Sequence, residues 1–348
     1  MIAQCWLHIG TEKTGTTSIQ NFLAANRTAL RSQGFLYPSA PGRVSHPALV
    51  AFSLDDNRID GTRKARSLSQ PAQISAYRRK LTHELEDEVA SSNVSKIILS
   101  SELLSSRIRS PAELERIRSL CSQVAKQTKI IVYIRNQVDF LISRYTTVIQ
   151  AGGWENFRPG VSPLTDYKTL LDRWAGTFGR ENLIVRRFEP ADFANGDLLA
   201  DFSATVGINA AQLSRVPRCN ESLDTESLTF LRAINRHLPL SFKARTRAVR
   251  ALAVYILQQR RGGTKFVVPE ELADRLQVRF QALNERISTE YFGGRFQPLF
   301  SPPTLVGNPD ALPDKPLGVM TTLRIAGFLA SGAVGEALKL LARKRSVS

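Results

Sequence analysis

Four apolar runs punctuate the chain, and each ends in a polar turn: residues 5–9 (Cys-Trp-Leu-His-Ile), 96–99 (Lys-Ile-Ile-Leu), 129–134 (Lys-Ile-Ile-Val-Tyr-Ile) and 183–188 (Leu-Ile-Val-Arg-Arg-Phe). Short runs of this kind, rich in β-branched residues, predict strands buried on both faces. Between them the apolar positions recur at helical spacing. Ile19, Phe22, Leu23 and Leu30 predict a helix over 16–33 that stops at Gly34, followed by a brief extended segment at 35–38. Residues 75–91 read as a polar helix, 111–127 as an amphipathic one, and 167–178 as a helix with Leu170, Leu171 and Trp174 on its core face. A further helix is expected over 196–206. Strands alternating with helices predict an α/β fold: a three-layer arrangement with a central parallel sheet flanked by helices.

The remaining stretches set the domain organisation. Residues 39–75 are rich in Ser, Pro, Gly, Arg and Asp and are expected to form a polar loop or lid. Residues 223–292 read as mainly helical and strongly basic, with Arg232, Arg236, Lys243, Arg245, Arg247 and Arg250 in the first part. A Pro-rich linker is expected at 301–317, then an amphipathic basic helix within 318–348 that ends in Arg343-Lys344-Arg345. The expected organisation is an α/β domain over 1–300, the linker, and that helix. Arg324, Glu336 and Lys339 argue against a spanning segment. Contact with an anionic membrane surface and docking on the chain's own domain are equally weighted readings of it.

Lys and Arg outnumber Asp and Glu by 47 to 31, a net charge of +16. That excess attracts polyanions: nucleic acid, an anionic membrane face, a phosphorylated cofactor or an acidic glycan. Cys5, Cys121 and Cys219 lie far apart without metal spacing, and the four histidines are isolated, so no metal site is expected. The apolar settings of Cys5 and Cys121 suit core thiols in a reducing compartment. The first strand begins at once, without a leader ahead of it, so the expected location is cytoplasmic, with peripheral membrane contact as an addition.

The chemistry gathers at the strand ends. After the first strand comes Gly10-Thr11-Glu12-Lys13-Thr14-Gly15-Thr16-Thr17, a strand–turn–helix of the kind that cradles a phosphate with backbone N–H groups and a helix N-terminus. The nucleoside-triphosphatase loop requires Lys directly after its second glycine. Here Thr16 holds that place, and the lysine, Lys13, precedes Gly15 by two residues. Glu102 and Arg135 fall at the carboxyl ends of two further strands, the edge where parallel sheets bind ligands. Ser143 lies two turns into the helix after Arg135. A guanidinium and a hydroxyl suit a phosphate. His46, in the polar 39–75 stretch, is a second candidate proton acceptor beside Glu102.

Lys13-Thr14-Gly15-Thr16-Thr17 resembles the 5′-phosphosulfate loop of the PAPS-dependent sulfotransferases, whose pattern is roughly Lys-[Ser/Thr]-Gly-Thr-[Thr/Ser]. The stretch from Arg135 through Ser143 to Tyr145 resembles their 3′-phosphate motif, with Gln137 in place of a frequent Pro. The resemblance extends over most of residues 4–292, is to sulfotransferases of the bacterial carbohydrate kind, and implies that the three-layer α/β fold is of the P-loop type with a helical C-terminal region. It implies that Lys13, Thr14, Gly15, Thr16, Thr17 and Ser18 bind the 5′ side of PAPS (3′-phosphoadenosine-5′-phosphosulfate), and that Arg135 and Ser143 bind the 3′-phosphate. Arg261-Gly262 stands where cytosolic members carry an Arg-Lys-Gly that also touches the 3′-phosphate, and the resemblance implies that contact for Arg261 and Gly262, here without the Lys.

The activity implied is transfer of a sulfuryl group from PAPS to a hydroxyl or amine by in-line displacement, without a metal. Lys13 would neutralise the leaving oxygen, and Glu102, ahead of His46, would take the acceptor's proton. The basic surface suits a carbohydrate or glycolipid acceptor, anionic ones included, and no specific nucleic acid is expected. Two other classes stay open: a P-loop nucleotide kinase or triphosphatase, and a basic nucleic-acid or membrane-binding module with an inactive phosphate loop.

Overall fold

A computed structural model of the chain describes residues 1–157, 159–160, 162–215, 223–237, 244–260, 263–303 and 318–345. It divides into two compact units. The first comprises Met1–Asn136, Val161–Cys219 and Gln281–Ser301, and the second Gln137–Gly160, Asn220–Phe280 and Pro302–Ser348. This division differs from the expected 1–300 domain.

The first unit is built on a parallel sheet of five strands among the described residues, in the order β2-β3-β1-β4-β5. The strands are β1 (Ile2–Gly10), β2 (Phe35–Leu36), β3 (Lys96–Ser100), β4 (Ala125–Ile134) and β5 (Leu183–Arg187). Leu7 of β1 lies opposite Leu99 of β3 on one side and Ile130 of β4 on the other. Side chains alternate across the sheet with the period of two that a strand dictates. Cys5, Leu7, Ile9, Ile97, Leu99, Ile130, Val132 and Ile134 enter one apolar layer, and Trp6, Ile98, Ile131 and Tyr133 enter the other. That double covering is why each strand reads as a continuous apolar run. The expected α/β class, with a parallel sheet flanked by helices, is the architecture found.

Helices α1 (Thr16–Ala25) and α2 (Arg27–Ser32) replace the single helix expected over 16–33. The break is at Asn26, whose side chain donates to Phe22 O and Ser214 O and accepts from Ser214 N. Holding two segments with one amide takes Asn26 out of helical geometry, at φ −109° and ψ 20°. The polar 39–75 stretch is largely folded. It contains α3 (Ala48–Ser53), buried at every position, and α4 (Gly61–Lys64), and it runs into α5 (Pro71–Ala90). Arg63 is fully buried there and donates to the carbonyls of Ala51, Leu54, Asp55 and Arg58. Its charge gathers loop carbonyls that would otherwise lose their hydrogen bonds on burial.

Helix α6 (Leu103–Arg107) follows β3, and α7 (Pro111–Val124) leads into β4. Glu113 closes a capping box with Ser110 at the start of α7. Cys5 and Cys121 are buried free thiols, as their apolar settings predict.

In the second unit, α8 (Gln137–Gln150) packs on a later helix of that unit; the intervening helices α9 (Tyr167–Phe178) and α10 (Leu198–Val206) belong to the first unit. The partner of α8 is α11 (Thr225–His237), whose Asn235 donates to Ile149 O and Gly153 O. After α12 (Ala244–Gln258), α13 (Glu270–Phe292) passes from the second unit into the first. Helix α14 (Val319–Arg345) packs on α11 and α12 within the second unit. Its Ile325 is fully buried and its Arg324 pairs with Glu226 at 2.9 Å. Val319, Met320 and Leu323 of the same helix are exposed. Among the described residues no helix is long and apolar enough to cross a membrane.

Candidate phosphate-binding site

The chain leaves β1 in the middle of the sheet for β2 at its edge, returns inward through β3, and crosses to the other side of β1 as β4. The crossover leaving β1 and those leaving its neighbours β3 and β4 therefore run in opposite directions along the sheet, and a parallel sheet opens a crevice at such a point beyond its carboxyl ends. The loop after β1 and Arg135 after β4 both emerge there.

The loop is pinned from within. The Thr11 N–H and hydroxyl both donate to Tyr133 O of β4, at 2.9 and 3.0 Å. The buried Thr14 hydroxyl donates to Thr11 O at 2.6 Å. Lys13 and Gly15 both take left-handed backbone conformations, at φ 65° and 72°. For lysine that costs about 1–2 kcal/mol, strain of the sort that concentrates at binding loops. A Cβ on Gly15 would also meet Leu198 Cδ2, a side-chain end that would have to shift, so the backbone conformation is the chief demand for glycine here.

Gly15 caps α1, and no side chain caps the helix. The amide of Ser18 donates to Gly15 O, which removes its N–H from the donors available to a ligand. Thr16 and Thr17 therefore lead an uncapped helix N-terminus, where backbone N–H groups and the helix dipole favour an anion. Thr16 is buried and Thr17 exposed.

Around this cradle stand three charged residues. Arg135 Nη1 donates to Lys13 O at 3.2 Å, and its guanidinium lies 5.5 Å from the centre of the Phe188 ring. Glu102 arrives from β3: a Cβ on Gly10 would come 2.9 Å from Glu102 Cβ, so the end of β1 and Glu102 are in contact. Lys13 Nζ is held below the usual lysine range. Burial is the main cause and the Arg135 charge adds to it, while Glu12 and Glu102 oppose. Lys13, Arg135 and Glu102 are thus brought together by three strand ends.

Sequence reading missed the residue that holds Glu102. Gln20, buried on α1, uses its amide to donate to Glu102 Oε2 at 2.7 Å and to Ser100 Oγ at 3.3 Å. Ser100 Oγ in turn lies 2.8 Å from Nδ1 of the buried His8. Gln20 sits one helical turn past Thr16, on the face pointing back at the sheet, and that periodicity was the available signal. Glu102 itself leads α6 without a side-chain capping bond.

His46 takes a different place. It is fully enclosed, stacked on Tyr37 with ring centroids 4.5 Å apart. Its Nδ1 accepts from Ser100 N at 3.0 Å and its Nε2 faces Pro38 O at 3.1 Å. Because Nδ1 accepts, the proton is on Nε2, and both ring nitrogens are engaged by backbone. Burial lowers its pKa to about 3. With no nitrogen left for a substrate, His46 is a strut between the 38–46 segment and β3, and the candidate base is Glu102.

Ser143 lies partly buried on α8, in the second unit. Arg261 and Gly262 lie outside the described residues. Their neighbour Arg260 is bound to Asp224 at 2.7 Å and to Glu226. Among the described residues no group of three or more His, Cys, Asp or Glu is placed to hold a metal ion.

No protein-family model matches the chain. An uncharacterized protein from Archaeoglobus fulgidus is 28% identical over 174 residues, 49% of this chain and 47% of that protein. The match thus spans about half the length of this curated relative. Two solved structures are similar at low superposition scores. One is a sulfotransferase from Alicyclobacillus acidocaldarius, at a TM-score of 0.39 and 18% identity, covering 66% of this chain and 91% of that one. The other is the sulfotransferase domain from the curacin biosynthetic pathway, at a TM-score of 0.30 and 12% identity, covering 60% and 75%.

Proposed function

We propose that the chain transfers a sulfuryl group from PAPS to a hydroxyl or amine of a carbohydrate or glycolipid acceptor. The observation that carries this reading is the loop itself: an uncapped helix N-terminus at Thr16 and Thr17, with Lys13 ahead of it and Arg135 bonded to the Lys13 carbonyl. A lysine before the second glycine suits a group leaving from an inner phosphate, whereas a triphosphatase needs it after that glycine.

In the proposed reaction the acceptor oxygen attacks sulfur in line with the bond from sulfur to the bridging oxygen. The new S–O bond forms as that bond breaks, and adenosine 3′,5′-bisphosphate leaves. The acceptor's proton passes to the Glu102 carboxylate. Lys13 offsets the charge growing on the departing oxygen, where stabilisation accelerates the step. The backbone amides of Thr16 and Thr17 hold the 5′-phosphate, and Arg135 holds the 3′-phosphate.

Calorimetry of the full chain with adenosine 3′,5′-bisphosphate against ADP tests the reading. Tight binding of the bisphosphate and weak binding of ADP is expected. Equal affinities would remove the 3′-phosphate role of Arg135 and turn the assignment toward a nucleotide kinase or triphosphatase.

A further inference from the structure

The first unit carries a cleft of about 400 Å³, among whose lining residues are Ser105, Ser106, Arg109, Asp166, Thr169 and Arg173. That volume falls in the range of roughly 300–1,000 Å³ that ligand sites occupy. Its position follows from the topology. Helix α6 begins at the carboxyl end of β3, and α9 leads through a short turn into the amino end of β5, so the start of α9 lies at the carboxyl edge of the sheet. The cleft between them is on the same edge as the phosphate loop. It begins one helical turn past Glu102, whose carbonyl accepts from Ser105 Oγ at 2.8 Å.

The lining divides into two chemistries. Arg109 and Arg173 supply positive charge. Arg173 Nη1 is anchored by long bonds of 3.3 and 3.4 Å to Ile108 O and Arg109 O. Burial and the neighbouring Arg109 charge hold the Arg173 guanidinium below its usual range. Among the described residues no hydrogen-bond or ion-pair partner engages the exposed Arg109 guanidinium. Asp166 and Glu113 partly offset this, yet in the lining two guanidiniums face one carboxylate, so the concavity keeps an excess of positive charge for an anion.

The second chemistry is a set of oxygens whose own protons point into the protein. Ser105 donates to Glu102 O, Ser106 weakly to Leu103 O at 3.5 Å, and Thr169 to Asp166 Oδ2 at 2.7 Å. Their lone pairs, with the Asp166 carboxylate, accept hydrogen bonds. A ligand that satisfies both halves carries an acid group and several hydroxyl donors.

We propose that this cleft binds an acid-bearing sugar, a uronate or a sulfated ring, as the part of the acceptor next to the hydroxyl that reacts at Glu102. Its role as an acceptor site rests on the sulfuryl-transfer reading; its affinity for an acidic saccharide does not.

The test is calorimetry of the full chain with a short oligosaccharide of alternating glucuronate and N-acetylglucosamine, and with the same oligosaccharide after reduction of its carboxyl groups to alcohols. The acidic form is expected to bind about tenfold tighter or more, the worth of a hydrogen bond to a charged group. Arg109→Gln should diminish that difference, leaving what Arg173 supplies, while adenosine 3′,5′-bisphosphate binding stays unchanged. Ser106→Ala, which removes a lining oxygen held only by a long bond, should weaken both saccharides alike. Equal affinity for the two forms, no binding of either, or an undiminished preference in Arg109→Gln would overturn the proposal. Acid-selective binding in a chain that fails to bind the bisphosphate would uphold the cleft and sink the sulfuryl-transfer reading instead.

Discussion

Mild acidification should destabilise this fold well before its carboxylates titrate, and the amount can be worked from two histidines. His8 and His46 are both fully buried, and burial lowers each pKa to about 3. In the unfolded chain each returns to about 6.5. Between those values the unfolded state binds more protons, so stability rises with pH and is lost as pH falls from 6.5 towards 3. From pH 7 to pH 5 an unfolded histidine goes from about a quarter protonated to nearly fully protonated, whereas the folded one stays neutral. The loss is about 1.9 kcal/mol per histidine and about 4 kcal/mol for the pair, a large part of a typical stability of about 5–15 kcal/mol. The result depends little on the folded pKa as long as it stays below about 4. Urea denaturation of the full chain at pH 7, 6 and 5 measures it. His46→Asn should lower stability at pH 7, because two backbone partners lose their bonds, and should halve the pH dependence to about 2 kcal/mol. A stability constant to within about 1 kcal/mol across that range, or an equal slope in the variant, would refute the enclosed, neutral state of these rings.

Lys13→Ala should lower kcat by about 10²–10³ with little change in stability, as read by single-turnover sulfuryl transfer beside thermal unfolding. Glu102→Gln should cost about 10²–10⁴ in turnover while calorimetry finds nucleotide binding intact; near-normal turnover would take the proton-transfer role from it. Gln20→Leu should slow single-turnover transfer, since Glu102 loses the donor that holds its carboxylate in place, and should leave bisphosphate affinity alone. Gly15→Ala should weaken bisphosphate binding through a left-handed backbone worth about 1–2 kcal/mol and a contact with Leu198. Adding Leu198→Ala should recover the contact and not the backbone cost, and full recovery would show that φ at Gly15 is immaterial.

How far the sequence foretold this arrangement depended on the range of the interactions involved. The strands were legible because both faces of the sheet are dry: Ile97, Leu99, Ile130 and Val132 fill one layer while Ile98, Ile131 and Tyr133 fill the other. A run of apolar residues between polar turns records that directly. The loop was legible for a related reason, since left-handed geometry and close approach leave a local demand for glycine at Gly10 and Gly15. Both signals arise within a few residues of chain.

His46 and Arg63 were illegible because their partners are backbone groups, which every residue carries and no residue type marks. Composition marks 39–75 as polar, and polarity normally means solvent. Here one guanidinium satisfies four carbonyls of a buried turn, and one imidazole holds Pro38 O on one side and, on the other, Ser100 N, 54 residues further along. A polar residue with a dedicated set of backbone partners packs as tightly as an apolar one, and no periodicity announces it.

In the proposed reaction Glu102 and His46 differ as acceptors of a proton. Both stand near the end of β3, and both are titratable. His46 has each nitrogen committed to backbone, so protonating it would break the bond from Ser100 N and charge a sealed site. Glu102 receives a hydrogen bond from Gln20 at one oxygen and leads a helix it does not cap. It is also only partly buried, so a proton can reach it. A group that must gain and release a proton each turnover needs a partner that survives both states. The Gln20 amide does, because it can donate to the carboxylate and still hold the protonated acid by its carbonyl oxygen or remain bonded to Ser100. Position at a strand end nominates a residue for chemistry; the hydrogen bonds its two protonation states can keep decide whether it is able to perform it.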